Sequence, residues 1–313
     1  MPGAPCLTIL MATRNGAAYL PEQIDSISAQ TYRNWRLLVS DDGSTDATMS
    51  ILSDFQRRLG AGKVTLIQGP ERGATANFLF LLQQTTMADG YIAFCDQDDI
   101  WMPEKLTRAI DQIKDHSATS ALYGCRALIV DQGGRSQRNA PLPTRALGFR
   151  HALAENILTG NGMVLNPAGA NLLRHALTGH KNPDALEAGF HDWWAYQVIS
   201  ASGGQIVYDP QPNLHYRQHS ANLVGSGQAK GQMVARIARA LGGTYAESLR
   251  LQARNLAETP GLDPAAQEAA LRLLALRDCW FWQRPRQIRK IGLYRQNRVE
   301  DLLLKFLLVS GQI

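Results

Sequence analysis

A chain of 313 residues suits one large domain, or a domain with an appendage. Its 45% hydrophobic and 19% charged content excludes a disordered polymer, and no run approaches the roughly 18 apolar residues that a membrane-spanning helix needs. The net charge of +5 sits at one end: residues 271–313 hold nine Lys/Arg against three Asp/Glu, which leaves the preceding 270 residues one charge negative.

The chain runs almost directly into Leu7–Met11 and then Arg14, a pattern unlike a signal peptide. Cys6, Cys95, Cys125 and Cys279 are scattered without CxxC spacing and read as reduced thiols. A cytoplasmic protein is the expectation.

Leu7–Thr13 is a strand candidate that ends in the turn Thr13-Arg14-Asn15-Gly16. Pro21 opens a helix with Leu20, Ile24 and Ile27 at helical spacing. Trp35–Ser40 is a second strand and runs into Asp41-Asp42-Gly43-Ser44-Thr45-Asp46, a turn rich in capping side chains. Ile51, Phe55 and Leu59 then mark one helix face. Lys63–Ile67 is a third strand, followed by Gly69-Pro70-Glu71-Arg72-Gly73 and an apolar helix from Ala76 to about Leu82. Tyr91–Cys95, a short apolar run with aromatic members, is a fourth. It empties into Asp96-Gln97-Asp98-Asp99, and Pro103 suits the first turn of a helix through Leu106 and Ile110.

Strands alternating with helices in this way imply an α/β fold with a parallel sheet and right-handed crossovers. Open α/β sheets place their ligand crevices at the carboxyl ends of the strands. Each of the four strands delivers polar residues there: Thr13 and Asn15, Asp41 and Asp42, Arg72, and Asp96 with Asp98. One polar turn is ordinary, but four along one sheet edge make a site. Like charges crowded at Asp96, Asp98 and Asp99 cost free energy unless a cation neutralises them, and hard oxygen ligands suit Mg2+ or Mn2+. A solvated acidic loop is the plain alternative. Neither GxxxxGK[ST] nor GxGxxG occurs; a nucleotide would instead meet carboxylates on base and ribose and a metal on its phosphates.

Beyond Asp111, Ala121–Val130 reads as a strand and the polar stretch Gln132 to Pro143 as a mobile loop. Leu158–Leu165, with Gly160 and Gly162, reads as a strand with close backbone approach. Phe190-His191-Asp192-Trp193-Trp194 opens an apolar helix through Val198. Asp192 falls in its first turn, where a carboxylate is stabilised as a cap; cap and catalytic base both stay open. Ile206–Asp209 is a short strand, and Tyr216-Arg217-Gln218-His219 follows.

In this order, Thr13–Gly16, Asp41–Asp46, Phe94–Trp101, His191–Trp194 and Tyr216–His219 resemble the inverting glycosyltransferases of family 2, which have the GT-A fold, and particularly the bacterial rhamnosyltransferase-like members. The resemblance covers residues 7 to about 225. It sets a GT-A domain at 1–225 and leaves 226–313 as a helical, basic-aromatic extension. By this resemblance Thr13 and Asp41 would contact the pyrimidine base with Asp42 and Asn15 nearby, and Asp96-Gln97-Asp98 takes the DXD position. Asp96 would face the ribose, and Asp98 the divalent metal, Mg2+ or Mn2+, that Asp96 and His219 would also help to hold. Arg72 and Asn77 would lie near the diphosphate and donor sugar, Asp192 would be the general base, and Trp193 and Trp194 either stack on sugar or pack. The reaction so implied moves L-rhamnose from dTDP-rhamnose to a hydroxyl of a cell-surface polysaccharide or lipid-linked glycan. Alternatives are a UDP-sugar donor, a nucleotidyltransferase of related fold, and a non-catalytic nucleotide-sugar-binding or membrane scaffold protein.

Helical spacing runs through residues 231–258 and Ala265–Leu276. Residues 279–298 then interleave Trp280, Phe281, Trp282 and Tyr294 with six cations. Aromatics favour the headgroup region and Lys/Arg attract anionic lipid, so docking to an anionic membrane surface, the inner face of the plasma membrane, is expected. A helix packed on the catalytic domain and a contact with a second subunit are the alternatives. Nucleic-acid binding is not expected, since no recognised module accompanies the charge.

Overall fold

The strand-and-helix alternation of the first hundred residues folds as its pattern predicts, in a computed structural model that describes residues 5–218 and 244–312. β1 (Leu7–Thr13), β2 (Trp35–Asp41), β3 (Val64–Gln68) and β4 (Tyr91–Cys95) form a parallel block in the order β3-β2-β1-β4. All of β4 and all but one residue of β1 are buried, as strands covered by helices on both faces must be. α1 (Leu20–Ser28), α2 (Thr48–Leu59), α3 (Ala74–Gln83) and α4 (Lys105–Ile113) are the covering helices.

Register fixes what meets at the sheet's carboxyl edge. Thr13 is paired with Asp41, and Met11 with Cys95. The turns after β1, β2 and β4 therefore emerge side by side.

The second half extends the same sheet through β5 (Ile100–Trp101), β6 (Ala121–Val130), β7 (Ser136–Asn139), β8 (Val164–Leu165) and β9 (Gln205–Arg217). The order continues β4-β8-β6-β9-β5, with β7 paired to β6. β8 is antiparallel to both neighbours, whereas β6 and β9 run parallel. α5 (Phe149–Ala152), α6 (Pro167–Thr178), α7 (Pro183–Glu187) and α8 (His191–Ala201) complete this half.

Three expectations need correction here. The stretch read as a mobile loop contains β7, whose Asn139 pairs with Leu128. The strand expected over Leu158–Leu165 shrinks to β8, because Gly160–Gly162 form one 3-10 turn. A Cβ on Gly160 would collide with the His191 ring, and one on Gly162 would press on Cys125. Last, the strand expected to end at Asp209 runs on to Arg217. Two register shifts against β6 accommodate Pro210 and Pro212. The buried Asp209 carboxylate anchors the bend, accepting from Arg108 (2.9 and 3.0 Å), Gln112 (2.9 Å), Tyr123 (3.0 Å) and Asn213 (3.0 Å).

The C-terminal extension is helical where it is described: α9 (Thr244–Glu258), α10 (Pro264–Leu274), α11 (Arg284–Ile291) and α12 (Arg298–Ser310). Leu249, Leu256, Leu273, Ile288 and Leu304 join the apolar cluster that contains Trp194, Tyr196 and Ile199 of α8. The extension and the sheet domain thus share a core. Among the described residues no helix is long and apolar enough to cross a membrane.

Candidate active site

The turn after β1 is knitted to the turn after β2. Asp41 accepts from Thr13 Oγ1 (2.9 Å) and from the hydroxyl and N–H of Ser44 (2.6 and 2.8 Å). Asn15 donates its N–H to Ser44 Oγ (2.8 Å) and accepts from the N–H of Thr45 (2.8 Å). The turn after β4 is tied in by Gln97, whose amide accepts from Arg14 N–H (2.9 Å) and donates to Arg14 C=O (3.0 Å). Gly16 faces Gln97 so closely that a Cβ there would displace the amide.

Asp42 is buried, and its two oxygens accept the N–H groups of Glu71 (2.6 Å) and Gly73 (2.7 Å). That clamp holds Glu71 at φ 59°. Glu71 and Asn15 (φ 49°) are the two non-glycine residues with positive φ among the described residues. Both lie at this edge, where strain held by surrounding structure marks functional segments.

Two of the expected donor contacts are placed differently from the expectation. Asn77 is in the core at 1% exposure, donating to Ser40 C=O (2.9 Å); it supports the end of β2 from below. Arg72 points to α7, pairing with Glu187 (2.9 Å) and Asp184 (3.5 Å). His219 lies outside the described residues. Trp193 and Trp194 are buried, with Trp193 Nε1 donating to Ala152 C=O (2.6 Å). They pack and offer no sugar-stacking face.

Asp96, Asp98, Asp99 and Asp192 converge. Burial, then the charges of Asp99, Asp98 and Asp192 in that order, push the Asp96 pKa well above the carboxylate range. Asp99 is buried and raised to about 7, by burial first and Asp98 second. It accepts from Arg217 N–H (3.0 Å) and from the Asn161 amide. Arg217, 2% exposed, threads the loop together. It donates to the carbonyls of Asp98 (3.1 Å) and Gln132 (2.6 Å) and to Glu22 (2.5 Å).

Asp192 Oδ1 accepts from Trp193 N–H (2.6 Å) and Oδ2 from Gly160 N–H (3.1 Å). Phe190, not Asp192, occupies the cap position of α8. Burial lifts the Asp192 pKa to about 6, against the lowering effect of those N–H groups and of Asn156. His191 beside it is stacked on Phe78 at 3.9 Å and edge-on to Phe94 at 5.1 Å. Burial drives its pKa down to about 3, so the ring is neutral.

Sequence reasoning missed Arg217, Asn161, Glu22 and Gly160. The signals were faint: Asp99 in the acidic run, and the paired glycines at 160 and 162.

Oxygen donors at Asp96 and Asp98 suit Mg2+ or Mn2+, which commonly take one or two carboxylates and complete their shell with water and substrate phosphates. Among the described residues no group of three His, Cys, Asp or Glu side chains is arranged to hold a metal unaided. The crowding that raises Asp96 is the electrostatic condition a cation would relieve.

A mostly parallel α/β sheet of this order, with acidic and polar turns gathered at one carboxyl edge, defines a glycosyltransferase of the GT-A fold. The model of glycosyl transferase family 2 matches residues 8–177, more than half of the chain, and the protein belongs to that family. A dTDP-rhamnosyl transferase of Shigella flexneri, RfbG, is 29% identical over 221 residues, covering 69% of this chain and 74% of that one. Other relatives are matched over only 60% of their own length. Among solved structures, S. aureus TarS (residues 1–349, with UDP-GlcNAc) aligns with a TM-score of 0.58 at 17% identity, covering 91% of this chain and 79% of that one. The mannosyltransferase PcManGT from Pyrobaculum calidifontis, with GDP-Man and Mn2+, aligns at 0.56 and 18% identity, covering 92% and 74%.

Proposed function

We propose that this glycosyltransferase is inverting and divalent-metal-dependent, and that it transfers L-rhamnose from dTDP-rhamnose to a hydroxyl of a surface polysaccharide or lipid-linked glycan. The observation that carries the mechanism is the placing of Asp192, fixed by two backbone N–H groups and raised to about 6, among the carboxylates of the Asp96 loop. The sugar rests on the similarity to RfbG.

Inversion is a single displacement. The acceptor hydroxyl oxygen bonds to the anomeric carbon while the bond from that carbon to the diphosphate oxygen breaks. Asp192 takes the hydroxyl proton as general base. Held at two oxygens, it pays no reorientation cost as the proton arrives. Asp41 with Thr13, and Asn15 beside them, would receive the base, and Asp96 the ribose. Gln97 would set the loop height through Arg14, while Asp42 and Asn77 would brace the turns from below. Arg72 would reach the diphosphate only by leaving Glu187. A bound Mg2+ or Mn2+ at Asp96 and Asp98, with His219 as a further candidate, would supply Lewis-acid stabilisation of the leaving diphosphate.

A UDP-sugar donor is the second reading, favoured by the UDP-GlcNAc complex of a structure with the same fold. A nucleotide-release assay with Mg2+ or Mn2+ over dTDP-, UDP- and GDP-sugars separates them. Metal-dependent release from dTDP-rhamnose is expected; release from a UDP-sugar alone would keep the reaction class and discard rhamnose.

A further inference from the structure

The C-terminal helices carry apolar side chains on the wrong side. On α12, Leu304, Leu307 and Leu308 are buried, yet Val299, Leu302 and Phe306, at i, i+3 and i+7, are each more than half exposed on the opposite stripe. Trp280, Phe281 and Trp282, in the turn before α11, are likewise more than half exposed, and the two Trp rings stack at 5.0 Å.

The two features are fastened to one another. Arg284 donates to the carbonyls of Cys279 (3.1 Å), Arg277 (3.2 Å) and Val309 (3.1 Å). One guanidinium thus joins the aromatic turn to the end of α12. On α11, Ile288 and Ile291 face inward, and Arg286, Arg289 and Lys290 stand exposed on the other side. Arg277 and Arg298 are exposed as well, and none of these five enters an ion pair among the described residues. Of the three acids in this region, Glu300 pairs with Arg295, Asp301 with Arg145 and Lys305, and Asp278 alone is exposed beside the aromatic turn. The exposed surface is apolar, aromatic and strongly positive.

We propose that this face docks on an anionic lipid bilayer. Aromatic rings and the outer stripe of α12 would enter the headgroup–acyl boundary, and the five cations would meet lipid phosphates. Charge selects lipid over a second copy of the chain, because an isologous contact would set this cationic patch against itself. The proposal goes beyond the transfer reaction, and vesicle binding reads it with no sugar nucleotide present, so either can fail alone.

The test is flotation of the full chain with phosphatidylcholine vesicles, with and without phosphatidylglycerol. Binding is expected only with the anionic lipid and should weaken as salt rises. Arg286→Glu/Arg289→Glu/Lys290→Glu should lower the partition coefficient about a hundredfold. Trp280→Ser/Phe281→Ser/Trp282→Ser and, separately, Leu302→Ser/Phe306→Ser should each lower it about tenfold or more, with nucleotide binding retained as the check on folding. Equal partition onto both vesicles, or none onto either, overturns the proposal. So does a lipid-free dimer in light scattering that the aromatic variant converts to monomer.

Discussion

In the proposed reaction Asp192 combines two properties that a general base needs. Its oxygens are fixed by Trp193 and Gly160 N–H groups, and burial lifts its pKa to about 6, close to working pH. The ionised form accepts the proton, so kcat/KM should rise tenfold per pH unit up to about 6 and level off above it. Asp192→Asn should lower transfer by about 10² to 10⁴-fold and abolish that limb, while nucleotide affinity by calorimetry changes little. Equal loss of binding and transfer would remove the base role. Asp98→Ala is expected to act on the other quantity: nucleotide affinity should lose its dependence on Mg2+ or Mn2+, and metal-linked affinity that persists would place the ion elsewhere.

At the scale of elements, the turn after β3 shows how a carboxylate can serve a site without facing it. Asp42 holds the left-handed Glu71 and the start of α3 by two buried hydrogen bonds. Asp42→Ala leaves both N–H groups unpaired and should cost about 2–4 kcal/mol in a urea titration. Asp42→Asn, which keeps one acceptor oxygen, should cost less. Sequence pattern could not separate Asp42 from Asp41, because adjacent carboxylates at the end of β2 look alike until the turn places one toward the edge and the other under Glu71 and Gly73. The parallel block was legible, since its apolar runs and turn chemistry are local, and so was the gathering of Thr13, Asp41 and Asp96 at one edge. The second half was harder to read for physical reasons. β8 has two residues and no periodicity, β9 absorbs two prolines through bulges, and Arg217 acts on Asp99 across 118 positions. Asn77 was expected near the donor by resemblance alone, and it lies buried under the end of β2, donating to Ser40 C=O.

At the scale of the whole molecule, the C-terminal helices are fastened to the catalytic half by charge as well as by apolar packing. Arg295 pairs with Glu155 (3.0 Å) and Glu300 (2.8 Å), lies 5.2 Å from the centre of the Tyr245 ring, and spends its own N–H on Asp301 (3.0 Å). Glu155 also accepts from Gln296 N–H (2.8 Å). Burial alone would raise the Glu155 pKa, yet the His151 hydrogen bond, the Arg295 charge and that N–H together bring it below its ordinary value. A depressed carboxylate contributes stability above its unfolded pKa and loses it as pH falls through the folded value. Arg295→Met should therefore cost about 2–4 kcal/mol near pH 7, where it strands Glu155 and Glu300 in a largely buried setting. The penalty should shrink in acid, as pH falls through the depressed Glu155 value and that carboxylate protonates. Because Leu249, Leu273 and Leu304 share a core with α8, calorimetry of the full chain should give one cooperative transition, shifted down as a whole by this substitution. Two transitions, with only one displaced, would show instead that the helical extension folds as a unit of its own and that Arg295 merely ties it on.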